Sequence, residues 1–183
     1  MASPAQTEGP YFVEAVPERS DLRADSATGQ PQEGAVLRLD LSVVKAGTCA
    51  ALAGARVDVW HASAQGAYSG VEAQAGHDFL RGHQPTDSGG NVTFTTIYPG
   101  WYPGRAIHIH VKVRSAGTSF TSQLYADDAF SDAVMARAPY NTRGARDTRN
   151  DADGVFRGGG DRLLLALAAG GDGYVGTFRV VAP

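Results

Sequence analysis

The amino-acid sequence predicts an all-β protein, folded as a two-sheet β-sandwich with long loops and at most a short helix. Short apolar runs with a two-residue period recur along the chain, which is typical of strands with one buried face. Turn signals separate these runs, and the chain holds 23 glycines and 9 prolines against 2 methionines. Roughly seven short strands with such turns between them indicate two packed sheets.

The length predicts one folded body, because 183 residues are about the size of one domain. The first part of the chain is polar and interrupted by Pro17 and Pro31, without a helical or strand period. We therefore expect residues 1–34 to form an extended arm that packs on the core. Residues 35–183 are then a single β-sandwich domain.

The strands are predicted from alternation, beginning where Leu37, Leu39, Leu41 and Val43 alternate with polar residues. Further strands are predicted at 55–61, 92–97, 107–113, 120–124, 163–167 and 174–181. A short helix is predicted at 129–136, with Asp127 or Asp128 at its N-cap.

Residues 138–162 show neither a helical nor a strand period, so a long irregular loop is predicted there. Arginines and aspartates alternate along it, and the simplest interpretation is a set of surface ion pairs. The fragment Asn150 to Gly154 resembles part of a calcium-binding loop, but the later glutamate is absent, so a turn is predicted.

Charge and hydropathy exclude two classes of partner. The net charge is -3 with no long basic run, which disfavours nucleic acid. The longest wholly apolar stretch, Leu163 to Ala169, is much shorter than the ~20 residues that span a membrane. Cys49 is the single cysteine, so neither an intrachain disulfide nor a thiolate metal cluster is expected.

Two histidines in one strand are the first candidate for chemistry. His108 and His110 are separated by one residue, so in a strand their side chains project from the same face and can converge on one atom. A metal would satisfy their nitrogens in a buried setting. A hydrogen-bonded pair in the core remains an alternative.

Two tyrosines lie near this pair in the sequence. Tyr102 precedes His108 by six residues, beyond a Pro-Gly turn, and can reach the same site. Tyr68 lies in a glycine-flanked loop after a predicted strand. Each tyrosine alone is equally compatible with a packed aromatic whose hydroxyl finds a partner. His61 is predicted to be a hydrogen-bonded core residue, whereas His77 and His83 are expected to be exposed in a connecting segment.

Taken together, these motifs resemble the intradiol ring-cleavage dioxygenases, a family that binds non-haem ferric iron. The resemblance is carried by residues 57–60, 66–68, 86–90, 94–97, 99–103, 105–110 and 123–125, and residues 7–11 resemble the first segment of the family. It implies cleavage of catechol-type aromatics between the two hydroxylated carbons, with molecular oxygen, to cis,cis-muconate-type products.

The resemblance also implies roles for individual residues. The Fe(III) ligands of the family fall on Tyr68, Tyr102, His108 and His110, with Tyr102 as the ligand that leaves when substrate binds. Arg105 matches an arginine that stabilises negative charge on the substrate, and its alternative is a salt bridge in a loop. Gln123 matches a position that orients this arginine, and Tyr11 matches the substrate pocket.

The donor types suit the metal without appeal to the family. Ferric iron is a highly charged acceptor and lowers the pKa of a phenol, ordinarily ~10, far enough to give a phenolate at neutral pH. Two phenolates and one hydroxide balance its three charges, and neutral imidazoles complete the shell.

Two departures from the family bear on substrate and compartment. The interval between Tyr102 and Arg105 is short, which indicates a more open pocket. The chain is most similar to the small secreted bacterial branch, so an extracellular location is suspected, although no signal segment is visible. That branch often has a second cysteine near the position of Ala62, and its absence weakens this expectation. The oligomeric state, a homo-oligomer included, is left open.

Two other functions compete with this one. A prealbumin-like structural or binding β-sandwich shares the turn phrase from Asp87 to Tyr102, but it does not explain Tyr68, Arg105 and the histidines together. A zinc hydrolase built on the histidine pair would need a carboxylate, and none lies at the usual close spacing.

Overall fold

Eight strands form two four-stranded sheets, as seen in a computed structural model that describes residues 1–183. The strands are β1 (Val36–Lys45), β2 (Arg56–Trp60), β3 (Arg81–Pro85), β4 (Asn91–Ile97), β5 (His108–Ser115), β6 (Thr118–Tyr125), β7 (Ala166–Gly170) and β8 (Gly173–Ala182). The sheet orders are β4-β1-β8-β7 and β3-β2-β5-β6. The predicted all-β sandwich is confirmed.

The main core lies between the sheets and follows the alternation of the sequence. Leu37, Leu39, Leu41 and Val43 of β1 are all buried, while the residues between them are partly or fully exposed. Their side chains pack in one cluster with Val57 and Val59 of β2 and with Ile109, Val111 and Val113 of β5. Burial of such side chains stabilises the fold by about 1.5 to 3 kcal/mol each.

Strand β3 was not predicted, because Arg81–Pro85 has no apolar alternation. It forms through antiparallel pairing with β2, in which Gly82 lies opposite Val59. His83 is consequently half-buried and lies 3.7 Å from Glu18, so its predicted exposure was wrong. His77 lies outside the strand and its side chain is 38% exposed.

The single α-helix, α1 (Asp128–Met135), agrees with the predicted segment to within one residue. Asp127 caps it and accepts hydrogen bonds from the N–H groups of Ala129 and Phe130. Here the local sequence is sufficient, because the cap needs only neighbouring backbone groups.

The strand predicted at 163–167 begins later, at Ala166. Residues 163–165 instead pair with the opposite sheet: Tyr125 N–H donates to Leu163 at 3.0 Å, and Leu165 N–H donates to Tyr125 at 2.8 Å. The apolar run is therefore shared between two sheets rather than contained in one strand.

Residues 1–34 contain no regular helix or strand and lie against several strands of the sandwich. Backbone N–H groups of Ser3, Gln6 and Leu22 donate to carbonyls of β8, β6 and β4 at 2.9 to 3.0 Å. Glu8 forms an ion pair with Lys112 on β5, and Glu14 forms one with Arg114. The division into an arm of residues 1–34 and a single catalytic domain of residues 35–183 stays a prediction.

The loop at 138–162 is less exposed than its charges suggested. It contains short 3-10 turns, and the side chain of Arg146 is 4% exposed, paired with Asp128 at 2.6 Å and Asp132 at 2.8 Å. Asp153 is fully covered and contacts Arg105. The interpretation as surface ion pairs was thus wrong at these two residues, because the loop packs against α1 and the sheet.

No helix of the protein has both the length and the apolar character needed to cross a membrane.

Candidate metal centre

Four polar side-chain ends converge at the outer face of β5. The Nε2 atoms of His108 and His110 are 3.1 Å apart. The hydroxyl oxygens of Tyr68 and Tyr102 each lie 3.3 Å from Nε2 of His108. Tyr68, His108 and His110 are buried, and Tyr102 is half-buried. The structure therefore brings together all four residues predicted as metal ligands.

Two glycines allow the tyrosine loops to meet. A Cβ on Gly66 would lie 2.3 Å from the Trp101 carbonyl oxygen, and a Cβ on Gly100 would lie 2.3 Å from that of Ala64. Gly66 also has a φ of +78°, in the left-handed region that glycine tolerates best. Close contact between the two backbones places Tyr68 and Tyr102 on the same side of the sheet.

Both histidines are held neutral with a nitrogen free to bind. Burial lowers the pKa of His108 to about 3 and holds that of His110 well below its usual value. His108 Nδ1–H donates to the Ala106 carbonyl at 2.7 Å, which leaves the lone pair of Nε2 directed at the cluster. His110 stacks on Trp60, with ring centroids 4.7 Å apart, and its buried Nδ1 has no partner.

The two phenols are also neutral in the protein alone. Burial raises the pKa of Tyr68 well above 10, and it raises the pKa of Tyr102 despite the neighbouring Arg105 charge. A highly charged cation at the cluster would reverse these shifts, since it favours the phenolate.

The cluster fits a metal ion by spacing and donor type. Ligands at about 2.0 to 2.2 Å from a shared ion, at right angles to one another, are roughly 3 Å apart, similar to the observed 3.1 to 3.3 Å. Two phenols and two imidazoles suit Fe(III). No cluster of three or more His, Cys, Asp or Glu side chains is present, so the zinc hydrolase hypothesis lacks its carboxylate.

Arg105 lies beside the cluster in a fixed orientation. Its Nη1 donates to the Tyr102 hydroxyl oxygen at 3.4 Å, its Nη2 to Gln123 Oε1 at 2.5 Å, and its Nε to Asp153 Oδ2 at 3.0 Å. Gln123 Nε2 in turn donates to the Thr7 carbonyl at 2.8 Å. Arg105 and Gln123 therefore contact one another, and Arg105 also forms a salt bridge with Asp153 of the 138–162 loop, as its alternative interpretation expected.

Asp153 was not recognised from the sequence as a site residue. Its carboxylate accepts hydrogen bonds from Ala106 N–H at 2.9 Å and Val155 N–H at 2.7 Å in addition to Arg105. Burial alone would raise its pKa, but the Ala106 hydrogen bond and the Arg105 charge hold the pKa below its usual value. No periodicity marks this residue, because it is buried by tertiary contact with Arg105 and Ala106, which precede β5.

Tyr11 covers the cluster from the arm. Its ring stacks on Tyr68 with centroids 4.7 Å apart and meets Tyr102 edge to face at 6.1 Å. The three tyrosines line a cavity of about 450 Å³, together with Val71, Glu72 and neighbouring residues. This size is suitable for a small aromatic ligand.

His61 does not join the cluster. It is buried, its Nδ1–H donates to the Ala62 carbonyl at 2.9 Å, and its Nε2 accepts from the Thr96 hydroxyl at 2.7 Å. The predicted role as a hydrogen-bonded core residue is confirmed.

Comparison with known proteins adds independent findings. A family model described as Dioxygenase matches residues 7–157. An intradiol ring-cleavage dioxygenase from Tetranychus urticae is 30% identical, with a TM-score of 0.87 over 99% of this chain and 94% of that chain. The dioxygenase domain of a carbohydrate-binding fusion protein from Streptomyces sp. SirexAA-E is 32% identical, with a TM-score of 0.74 over 100% of this chain and 98% of that chain.

A chlorocatechol 1,2-dioxygenase from Pseudomonas putida is 31% identical over 137 residues, which are 64% of this chain and 51% of that protein. The chain spans about half the length of the curated relatives it matches.

Proposed function

The chain belongs to the intradiol ring-cleavage dioxygenase family, and from that premise we propose that it cleaves catechol-type aromatics with molecular oxygen, between the two hydroxylated carbons. The proposed products are of the cis,cis-muconate type, and the proposed cofactor is non-haem Fe(III). The observation that carries the proposal is that both phenol oxygens and Nε2 of His110 lie within 3.1 to 3.3 Å of Nε2 of His108. No other cluster of the molecule has this donor set.

Tyr68, Tyr102, His108 and His110 are proposed to hold the iron. The neutral state of both histidines supports this assignment, because a protonated imidazole could not donate a lone pair. When bound, Fe(III) would supply a Lewis acid that favours deprotonated phenols and activates a chelated catechol toward dioxygen.

Tyr102 and Arg105 are proposed to handle protons and charge. Tyr102 is the less buried of the two tyrosines and lines the cavity. With Fe(III) bound it would be a phenolate, and its oxygen would then be placed to take a proton from a substrate hydroxyl. Arg105 donates to this same oxygen, and its guanidinium can stabilise negative charge that develops on the substrate. Gln123 fixes the arginine, because its Oε1 accepts a hydrogen bond from Nη2 of Arg105.

The cavity favours catechols without a negative substituent. Its lining includes the carboxylate of Glu72 and no lysine or arginine. Tyr11, Val71 and Tyr68 provide apolar surface for an aromatic ring. A carboxylate on the part of the ring that faces away from Arg105 would lose hydration without a cationic partner among the lining residues.

A prealbumin-like structural module is the other function compatible with the sandwich. A structural role does not explain why four polar side chains converge in a buried site. Such an arrangement is unfavourable unless a ligand satisfies their polar atoms. We therefore place catalysis first.

One experiment tests the proposal directly. The purified protein loaded with Fe(III) is expected to be reddish from phenolate-to-iron charge transfer, and catechol should shift the band to longer wavelength. With oxygen, catechol should give a muconate absorbance without a yellow semialdehyde, and 3,4-dihydroxybenzoate should be the poorer substrate. A colourless protein that retains stoichiometric zinc would contradict the proposal, as would cleavage beside the hydroxylated carbons.

A further inference from the structure

Arg81 on β3 is a buried cation whose partners are all neutral. It is 2% exposed, and its guanidinium donates to Ser69 Oγ at 2.8 Å, to the Ser69 carbonyl and to the Tyr11 carbonyl at 3.0 Å. Burial lowers its pKa to about 10, so the side chain stays charged at neutral pH. Burying a charged group without a carboxylate partner is unfavourable. Packing alone therefore does not explain the presence of this side chain.

The hydrogen bonds of Arg81 join two segments that are distant in sequence. Tyr11 belongs to the N-terminal arm, and Ser69 directly follows Tyr68. Ser69 is itself fixed, since its hydroxyl donates to the Phe79 carbonyl at 2.6 Å. One rigid guanidinium thus sets the distance between the backbone of Tyr11 and the loop that carries Tyr68.

The rings of the two joined segments are in contact at the candidate metal centre. Tyr11 stacks on Tyr68 with an interplanar angle of 25°, and both line the cavity. Stacked aromatic pairs have a preferred offset and separation, so a shift of the Tyr11 backbone would change the shape of this wall.

The ion pairs of this part of the arm hold it less firmly. Glu8 and Glu14 form ion pairs with Lys112 and Arg114, but their side chains are 36% and 68% exposed. Exposed ion pairs contribute little to fixing a segment. Beside the apolar packing of Phe12 on Trp60, Arg81 is therefore a buried polar anchor between two solvent-accessible ion pairs.

We propose that Arg81 is a positioning residue that holds Tyr11 against Tyr68 and thereby sets one wall of the catechol pocket. The expected effect of Arg81 on substrate binding rests on the proposed function. The expected effect of Arg81 on the arm does not depend on catalysis. The nearest chemical contact of Arg81 is with backbone and serine oxygens, so it acts through Tyr11 and not on the substrate.

The test compares Arg81→Met, Arg81→Lys and Tyr11→Ala, with Arg146→Met as a control. Arg146 is another buried arginine, but it lies against α1 and does not contact the arm. Two quantities are measured: KM and kcat for catechol with the iron-loaded protein, and amide hydrogen exchange of residues 8–14 in the metal-free protein.

Arg81→Met is expected to raise KM about 5- to 10-fold and to change kcat less than about 3-fold, because it removes binding rather than chemistry. In a Tyr11→Ala background the same change should alter KM by less than about 2-fold, since the two residues act as one unit. Exchange of residues 8–14 should be faster in Arg81→Met, intermediate in Arg81→Lys, and unchanged in Arg146→Met.

Equal effects of Arg81→Met on KM with and without the Tyr11 ring would overturn the proposal, as would unchanged exchange of residues 8–14. If Arg81→Met does not fold, the Arg81→Lys and Tyr11→Ala variants, alone and combined, test the proposal instead. KM and the exchange of residues 8–14 are again the two quantities measured. A wild-type protein that cleaves no catechol contradicts the proposed function, and the exchange data still test the role of Arg81 in the arm.

Discussion

Strands β1 and β5 are both interior strands of four-stranded sheets, yet they are buried differently. Residues of β1 alternate between buried and accessible positions, as expected for a sheet with one face in solvent. In β5 the run from His108 to Val111 is buried on both faces. Ile109 and Val111 face the sandwich core, whereas His108 and His110 face a layer made by the arm and the tyrosine loops.

The difference shows how a site arises on an ordinary sheet. The outer face of β5 changes along its length, from the fully covered histidines to Lys112 and Arg114, which form ion pairs with the arm. Where the covering layer excludes water, polar side chains become neutral and their pKa values move far from the usual range. Coverage of the strand, rather than the strand itself, creates the conditions for the proposed metal site.

The largest expected effect distinguishes the two strands, because a substitution in β5 should decrease metal affinity and one in β1 should decrease stability. His110→Ala should lower the affinity for Fe(III) by at least about 100-fold, because it removes a proposed ligand. Leu39→Ala in β1 should retain the metal but decrease the free energy of unfolding by about 2 to 5 kcal/mol. Metal analysis of the purified variants and urea denaturation of the metal-free proteins measure these effects.

The comparison fails if His110→Ala still carries one iron per chain with full activity. It also fails if Leu39→Ala folds with undiminished stability but without iron.

A smaller effect is expected at Asp153, which belongs to the layer that covers β5. Both oxygens of its carboxylate accept hydrogen bonds: Oδ1 from Val155 N–H and Oδ2 from Ala106 N–H and Arg105 Nε–H. An asparagine can accept on one side only, so Asp153→Asn should displace Arg105 and decrease kcat/KM by about 10- to 100-fold.

Asp151→Asn is the matched control, since Asp151 is exposed in the same turn. It should leave kcat/KM unchanged. Equal activity of the two variants would show that the orientation of Arg105 does not depend on Asp153.

The smallest expected effect is a pH dependence of stability at His61, near the end of β2 in the covered sheet. Burial lowers the pKa of His61 to about 4, whereas an unfolded histidine titrates near 6.5. Between these values the unfolded chain binds a proton that the folded protein does not. Stability is therefore full above pH 6.5 and decreases as the pH falls toward 4, by at most about 1.4 kcal/mol per pH unit from this residue.

His61→Gln should decrease this slope without abolishing it, since buried His108 and His110 contribute in the same direction, while it keeps a neutral polar side chain beside Thr96. Denaturation of the metal-free wild type and variant at several pH values between 4 and 7 measures the slopes. Parallel slopes would mean that His61 is protonated in the folded protein in that range.

Much of the fold could be predicted from local patterns. The alternation from Leu37 to Val43 predicted β1, and Asp127 predicted the start of α1, because both depend on neighbouring residues alone. Strand β3 could not be predicted, since it exists only through pairing with β2 and carries no apolar pattern of its own. The ends of β7 were missed because residues 163–165 pair with Tyr125 of the other sheet.

The residues of the candidate site likewise divide into those that local patterns predicted and those that they did not. Strand parity predicted that His108 and His110 project together, and the short spacing from Tyr102 to His108 predicted that Tyr102 can reach them. Tyr68 was placed with them by resemblance to a family. Asp153 and Arg81 were not singled out, because each lies in a polar segment where nothing in the sequence distinguishes a buried charge from an exposed one.

The sequence by itself determined the sandwich, its main strands and the histidine pair, since each follows from a two-residue period or from residues close in the chain. Tertiary structure alone decided which polar residues lose contact with water. The arm, the tyrosine loops and the 138–162 loop meet over β5 from distant parts of the chain. Burial there depends on their joint packing, which no local pattern encodes.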